Sequence, residues 1–374
     1  MNILSQSRYD RQERITWWDQ EKLTSSRVLV VGAGALGNEI VKNLALVGVG
    51  NITIVDMDLI EHTNLSRCVF FRDGDEGKYK AEVLAARAKD LNNEIEVEFF
   101  SCPVQYLGDG YLANFDLVLA GLDNREARVW LSAACRRVEK IMIDGAIEGL
   151  MGKVQIFTPN GPCYACTMSE KDWELVAKRK SCTLLGKEEI LGGHTPTNST
   201  TSSIIAGVEV QEAIKYLVGK KEMVALENKI WRFTGDQMSS FISIIDPDDY
   251  CPYHESAERI TQTKELPRTM DEIFTIFSIS TDGSILFPDD VIKIEPCTKC
   301  SGEVKYGFAD LMKGQGKCSN CEGELNVVLT KSISKSDIES GTRLIAEHWP
   351  LEFIADIQSS SQNYRVAIRK VDHE

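Results

Sequence analysis

The chain has no long run of apolar residues, and its opening segment MNILSQSRYDRQER turns polar almost at once. Membrane-spanning and secretory readings are therefore not expected, and a cytoplasmic protein is. Positive charge is also in short supply. Forty-two Lys and Arg stand against 56 Asp and Glu, a formal net charge of −14. Such a surface repels nucleic acid and anionic membranes alike, so neither is an expected partner. Internal repeats and low-complexity tracts are absent, which excludes solenoids and extended disordered regions. What remains is a chain of 374 residues, 43% hydrophobic and 26% charged. That is the balance of a folded protein too long for one ordinary core, so two or three domains are expected.

The stretch RVLVVGAGALGNEIVKNLALVGVGNITIVDMD (27–58) reads as buried strand, glycine turn, helix and second buried strand. KAEVLAARAKDLNN follows as a helix, EIEVEFF and FDLVLAGLD as strands, and WLSAACRRVE as another helix. This alternation predicts an α/β, doubly wound, Rossmann-like sheet. STTSSIIAGVEVQEAIKYLVG (199–219) is a further helix, with a Ser/Thr cluster to cap it and Gly219 to stop it. Past about residue 255 the long apolar pairs end. A boundary near 260 separates the first domain (1–260) from a smaller α+β domain (261–374).

Gly32, Gly34 and Gly37 form GAGALG between a strand and a helix, so backbone N–H groups and the helix N-terminus face a phosphate. A dehydrogenase binding NAD or FAD uses the same turn, and an acid at the end of the next strand, Asp56, suits a ribose in either case. The motifs that follow separate the two. RYDRQ near the start, DMD (Asp56, Asp58), NLSRC (Asn64 to Cys68), GKYKAEV with Lys80, and DNREAR (Asp123 to Arg128) stand in order along the chain. This set resembles the adenylating superfamily of ubiquitin-activating enzymes, ThiF and MoeB, over roughly residues 8–260.

The resemblance implies ATP with Mg²⁺. Asp56 would hold the ribose, Asn64, Arg67 and Lys80 would neutralise phosphates, and Asp123 would coordinate Mg²⁺, with Asp58 and Asn124 beside them. Arg11 would reach into a neighbouring subunit's site. Because one chain carries both Arg11 and the ATP set, a homodimer is expected. Cations of this kind are what phosphoryl chemistry needs, since charge spreads over phosphate oxygens in the transition state. Cys68 stands where the resembled motif has glutamine.

Eleven cysteines in a reducing compartment are not expected to form disulfides, and the spacing of seven of them reads as metal ligation, leaving Cys68, Cys102, Cys135 and Cys182. Cys163 and Cys166 in GPCYACT, with Cys251 and His254 in DYCPYH, supply four ligands for a structural, tetrahedral Zn²⁺. In the resembled family two such pairs tie the ends of the domain together, here with His254 in place of a cysteine. Cys297, Cys300, Cys318 and Cys321 form a CxxC-x17-CxxC zinc ribbon spanning 295–323, a second structural Zn²⁺ site. Its acidic neighbours Glu295, Glu303, Glu322 and Glu324 argue against nucleic acid. The ribbon is inserted into a short α+β domain whose position loosely resembles the ubiquitin-fold domain that recruits conjugating enzymes.

Cys182 lies in AKRKSCTLLGKEE, directly after Lys178, Arg179 and Lys180, whose charge favours a thiolate. SCT followed by GGHTPTNSTTSSIIAGVEVQEAIKYL resembles the thioester-forming branch, with a catalytic-cysteine loop near 178–200. The resemblance therefore implies adenylation of the C-terminal glycine of a ubiquitin-like protein, thioester formation on Cys182 and transfer to a conjugating enzyme. Only about fifteen residues separate Cys166 from Cys182, so the large catalytic-cysteine domain of eukaryotic ubiquitin-activating enzymes is not expected there, and this compactness resembles the small activating enzymes of bacterial ubiquitin-like conjugation operons. His194 is a second candidate in the same loop. A sulfur-carrier adenylyltransferase without the thioester, and a non-catalytic nucleotide-binding scaffold, are the alternatives.

Overall fold

The structure is a computed structural model. It describes residues 7–174 and 196–254 continuously, then 274–275, 283–294, 297, 299–300, 304–305, 317–318, 320–323, 327–339, 343–344, 352–358 and 363–369. The chain divides into two compact units, Met1–Val104 with Leu112–Ser256, and Gln105–Tyr111 with Ala257–Glu374.

In the first unit, helix α1 (Gln20–Ser25) leads into strand β1 (Arg27–Val31), whose last four residues are all buried. Helix α2 (Ala35–Val47) and β2 (Asn51–Val55) follow, and β2 is buried in the same way. Next come α3 (Lys80–Leu91), β3 (Glu96–Phe100), β4 (Leu117–Ala120), α4 (Arg125–Arg137), β5 (Met142–Glu148) and β6 (Met151–Phe157). The long helix α5 (Ser199–Leu217) and strands β7 (Lys229–Thr234) and β8 (Ser239–Ile244) complete the unit. Among the described residues no helix is long and apolar enough to cross a membrane.

The strands form one eight-stranded sheet in the order β3-β2-β1-β4-β5-β6-β7-β8. The first five in that order pair in parallel, and β6, β7 and β8 extend the sheet antiparallel. This is the expected α/β doubly wound fold. Apolar runs such as Val28 to Val31 are continuous because strands covered on both faces have no solvent side. The chain leaves β1 toward β2 on one side and reaches β4 on the other. That reversal opens a crevice at the carboxyl ends of β1 and β4, where ligands bind in such sheets.

Two helices seat the crevice. α2 ends at Gly48, whose φ of +78° places it in the left-handed region that closes a helix. α5 begins at Asn198, whose side chain accepts from the Thr201 amide at 2.8 Å. α5 packs its buried Ile205, Ala206 and Val210 toward the sheet so closely that a Cβ on Gly152 of β6 would stand 2.4 Å from Ile205. The N-terminal RYDRQ segment is pinned as well. Tyr9 accepts from Asn92 at 2.9 Å, and Gln12 donates to the Val47 carbonyl at 2.9 Å. Arg11 is the exception within that motif, an exposed side chain on a short helical turn.

The second unit contains β9 (Ser284–Ile294), β12 (Val327–Ser334), β14 (Glu352–Gln358) and β15 (Asn363–Arg369) in the order β12-β9-β14-β15, with β13 (Arg343–Leu344) also on β9. Every pairing in this sheet is antiparallel. Between β9 and β12 in the chain lies a two-stranded piece, β10 (Val304–Lys305) with β11 (Lys317–Cys318), which carries part of the cysteine quartet. A short helix α6 (Lys335–Glu339) follows β12.

Candidate nucleotide and acyl-transfer site

At the crevice, the turn from β1 to α2 is built by three glycines for three different reasons. Gly32 has φ of +100°, and its missing Cβ would stand 2.6 Å from the Gly121 carbonyl oxygen. Gly37 touches the Gly32 carbonyl so closely that a Cβ would lie 1.8 Å from that oxygen. Gly34, the residue before α2, has nothing within 4 Å of where a Cβ would stand. Packing therefore requires the first and third glycines, while the second leaves open space at a helix N-terminus, the place where backbone N–H groups meet an anion.

Around this opening the ends of neighbouring strands deliver charge. Asp56, just past β2, accepts from the Ala33 amide at 2.6 Å and from the Asp58 amide at 2.8 Å, which ties the acid to the glycine turn. Burial pushes its carboxyl upward, and the Lys80 charge and Ala33 amide pull it back down. Lys80, the first residue of α3, donates to Asp58 at 2.9 Å and keeps only 13% of its side chain exposed. Burial alone would lower its pKa, yet the carboxylates of Asp56, Asp58 and Asp123 carry it above the ordinary lysine value. Lys80 is therefore a fixed cation with three acids around it. Asp123 follows β4 and is exposed, and Asn124 caps α4 by accepting from the Glu126 amide at 2.8 Å.

The other two expected phosphate ligands sit on the 3-10 turn His62–Ser66 and just beyond it. Asn64 is buried and accepts from the Glu61 amide at 2.9 Å, which holds the turn. Arg67 is half-buried, and its guanidinium donates to the Thr63 carbonyl at 2.6 Å. Cys68 is buried beside them. Desolvation pushes its thiol up to about 11, against the pull of Arg67 and Lys80, so it stays protonated. These groups fit a triphosphate nucleotide: open space at Gly34, cations in Lys80 and Arg67, and exposed carboxylates in Asp58 and Asp123 as hard oxygen donors for Mg²⁺.

A model of the ThiF family matches residues 9–253, nearly two thirds of the sequence. The chain belongs to the ThiF family. Curated relatives include ubiquitin-like modifier-activating enzyme 7 of Homo sapiens, 39% identical over 165 residues that cover 41% of this chain and 16% of that protein. The SAMP-activating enzyme E1 of Haloferax volcanii is 40% identical over 156 residues, 40% of this chain and 56% of the relative. The NEDD8-activating enzyme E1 catalytic subunit of Dictyostelium discoideum is 37% identical over 156 residues, 38% and 35% of the two chains. The aligned part thus spans between about a sixth and just over half of each of these relatives' length. Among solved structures, E. coli MccB with ATP superposes with a TM-score of 0.55 at 22% identity, covering 68% of this chain and 75% of MccB, a likeness of fold.

Within the ThiF-family unit, the cysteines sort into distinct settings. Cys163 and Cys166 lie at a 3-10 turn after β6, and Cys251 and His254 lie after β8. The sulfurs of Cys163 and Cys166 are 3.8 Å apart, those of Cys163 and Cys251 3.5 Å, and Cys166 lies 3.0 Å from His254 Nε2. A tetrahedral Zn²⁺ with Zn–S bonds of ~2.3 Å has sulfur–sulfur edges of ~3.8 Å, so this quartet fits zinc. In the second unit Cys297, Cys300, Cys318 and Cys321 come together equally well, with sulfur–sulfur distances of 3.7, 3.9 and 3.2 Å. In each quartet all four ligand atoms lie within 4.8 Å of one another. Each offers a full set of four, which suits a structural role. Cys102 and Cys135 are pushed up to about 12 by burial and remain thiols. Cys182, with Lys178, Arg179, Lys180 and His194, lies outside the described residues.

Sequence reasoning missed a buried polar network beneath the site. Arg128 of α4 donates to Asp144 of β5 at 2.7 Å and to the Gly145 carbonyl at 2.8 Å, and it also bonds the Leu122 carbonyl next to Asp123. Gln155 donates to the second Asp144 oxygen at 2.7 Å. This cross-brace links the β4–α4 turn, which carries Asp123, to the sheet. Glu209 of α5 is fully buried against Gly145, and among the described residues neither carboxyl oxygen has a side-chain hydrogen-bond partner. Desolvation, reinforced by the Asp144 charge, holds it well above the ordinary glutamate value of 4.5. The available signal was an acid inside each of two apolar runs, IMIDGAI and IIAGVEV.

Four outcomes follow from this geometry. Gly37→Ala costs about 1–3 kcal/mol of stability, the usual penalty for overpacking. Gly34→Ala leaves thermal stability unchanged and weakens ATP binding, as differential scanning and calorimetric titration check. Two zinc ions per chain are the expected result of elemental analysis on the purified protein. Cys163→Ser removes one of them and lowers Tm by on the order of 10 °C. Glu209 is neutral when folded and ionised when unfolded, so its cost to stability grows as pH rises above about 4.5. Glu209→Gln therefore raises Tm by roughly 2–4 °C at neutral pH and by less toward pH 4, read from melts across that range.

Proposed function

We propose that the chain uses ATP to activate the C-terminal carboxylate of a ubiquitin-like protein, then captures the acyl group on Cys182 and passes it to a cysteine of a conjugating enzyme. The carrying observation is Lys80, set among Asp56, Asp58 and Asp123 beside the open Gly34 turn. A carboxylate oxygen of the substrate attacks the α-phosphorus of ATP, pyrophosphate leaves, and an acyl adenylate forms. Lys80 and Arg67 meet the charge that spreads over the phosphate oxygens, Asp56 takes the ribose, and the backbone ahead of α2 cradles phosphate. Mg²⁺ bound through Asp123, with Asp58 beside it, would neutralise the leaving pyrophosphate. The Arg128–Asp144 brace keeps the Asp123 turn in place.

The second step has Cys182 thiolate attack the acyl carbonyl, with AMP leaving and a thioester forming. The states of the other ten cysteines support this assignment. Seven stand in the two metal quartets, and burial keeps Cys68, Cys102 and Cys135 protonated. Lys178, Arg179 and Lys180, which precede Cys182 in the chain, would lower the cost of its thiolate where they stand near it. Arg11, exposed and without an acid partner among the described residues, supports a homodimer in which each copy lends that cation to its partner's site. Within this reading residues 1–260 form the adenylation domain, two structural zinc ions brace the chain, and residues 261–374 serve to recruit the conjugating enzyme. The site of action is the cytoplasm.

ATP–pyrophosphate exchange with a ubiquitin-like protein ending in glycine tests the first step, and Lys80→Ala lowers its rate by about 10²–10³-fold. Cys182→Ala retains exchange and loses the thiol-reducible adduct on gels. An adduct that persists in Cys182→Ala removes the thioester assignment, and absence of exchange in the wild type removes adenylation.

A further inference from the structure

On a chain of net charge −14, one surface of the first unit collects the opposite sign. Lys153 of β6 and Arg232 of β7 are register partners, side by side across two antiparallel strands. The Lys153 ammonium stands 5.8 Å from the Tyr164 ring centroid, and the Arg128 guanidinium stands 5.9 Å from the same centroid. Arg125, the first residue of α4, pairs with Asp172 at 3.2 Å and stays nearly half exposed. Arg232 is held by a hydrogen bond to Ser243 at 2.6 Å and lies over the Phe241 ring at 5.8 Å.

The carboxylates in this cluster are already engaged. Asp144 is saturated by Arg128 and Gln155, and Asp172 by Arg125 and the Ser169 amide and hydroxyl. Among the described residues Lys153 has no ion pair and Arg232 pairs with no acid. Burial and the charges of Arg128, Arg232 and Arg125 press the Lys153 pKa down, against the pull of Asp144 and, more weakly, of Asp172. A half-buried ammonium next to three guanidiniums is a charge arrangement that an incoming anion relieves.

The position of the cluster says which anion. Lys153 faces Ala146 near the carboxyl end of β5, the same end of the sheet as the Gly34 turn and Asp123, and Arg125 lies two residues past Asp123. Asp56 draws the ribose toward β2, so a carboxylate that attacks the α-phosphorus arrives from the opposite flank, across β5, β6 and β7. On the adenylation reading given above, we infer that Lys153, Arg232 and Arg125 select a protein substrate whose C-terminal segment carries an acidic side chain shortly before its terminal glycines. The tail lies extended over β6 and β7, and its acid takes the place of the missing counter-charge between Lys153 and Arg232. These three side chains are specificity determinants, since they contact neither the nucleotide nor the reacting carboxylate.

Synthetic hexapeptides ending in Gly-Gly, with a single Glu or Lys at each of the four preceding positions in turn, test this on the full chain. Binding is measured by fluorescence anisotropy with a non-hydrolysable ATP analogue present. At one position or more the Glu peptide binds about tenfold tighter than its Lys counterpart, a gap that closes with added salt. Lys153→Gln with Arg232→Gln brings the ratio to within about twofold, and Lys153→Glu reverses it, while affinity for the ATP analogue and Tm stay at wild-type values. Equal binding of both peptides, preference for lysine, binding of neither, or loss of ATP affinity in the variants overturns the inference. Pyrophosphate exchange on the same samples reports adenylation separately. Acid preference without any exchange strikes the proposed activity and leaves the tail recognition standing.

Discussion

Everything at the nucleotide end of this molecule depends on how closely two backbone turns approach. The β1–α2 turn and the turn after β4 meet with no side chain between them, since a Cβ on Gly32 would stand 2.6 Å from the Gly121 oxygen. α2 docks on its own turn at Gly37 with the same intimacy. That approach sets the helix N-terminus at the point where the sheet's order reverses, and it leaves the Gly34 side open. Asp56 then bonds the Ala33 amide, so the acid after β2 and the turn after β1 form one rigid piece.

Buried charge extends this rigidity through the sheet. Arg128 spans α4, the β4 turn and β5, bonding the Asp144 carboxylate and the carbonyls of Leu122 and Gly145. Breaking such a network is costly because the remaining charges lose their compensation. Nearby, Glu209 shows the opposite solution. Among the described residues it has no side-chain partner and holds its proton instead. Residues 144 and 145 of β5 point to opposite faces, so the sheet holds a saturated ion pair on one face and a neutral acid on the other, and Lys153 and Arg232 stand on the ion-pair face with positive charge to spare.

The two cysteine quartets solve a different problem. The ends of the first unit's antiparallel extension are joined by Cys163, Cys166, Cys251 and His254, whose two pairs are separated by 88 positions in the chain. In the second unit the strands around Cys297 to Cys321 are only two residues long, too short to bury much apolar surface. A metal held by such a quartet would supply cross-linking where hydrophobic area does not.

Much of this was legible along the sequence, because the causes are local. Continuous Val, Leu and Ile runs, glycines at fixed spacing and CxxC pairs express strand burial, turn sterics and chelate geometry within a few residues. The sequence by itself determined the doubly wound architecture, the glycine turn between β1 and α2, and the pairing of cysteines at metal-ligand spacing. It did not show that Arg67 would fold back on Thr63, that Arg128 would brace Asp144, or that Glu209 would lie dry against Gly145. Nor did it show that Lys153 and Arg232 would face each other across a strand pair with their acids already taken. Those are consequences of which elements pack together, since a charge's environment is set by neighbours distant in the chain. Only the tertiary structure decided them.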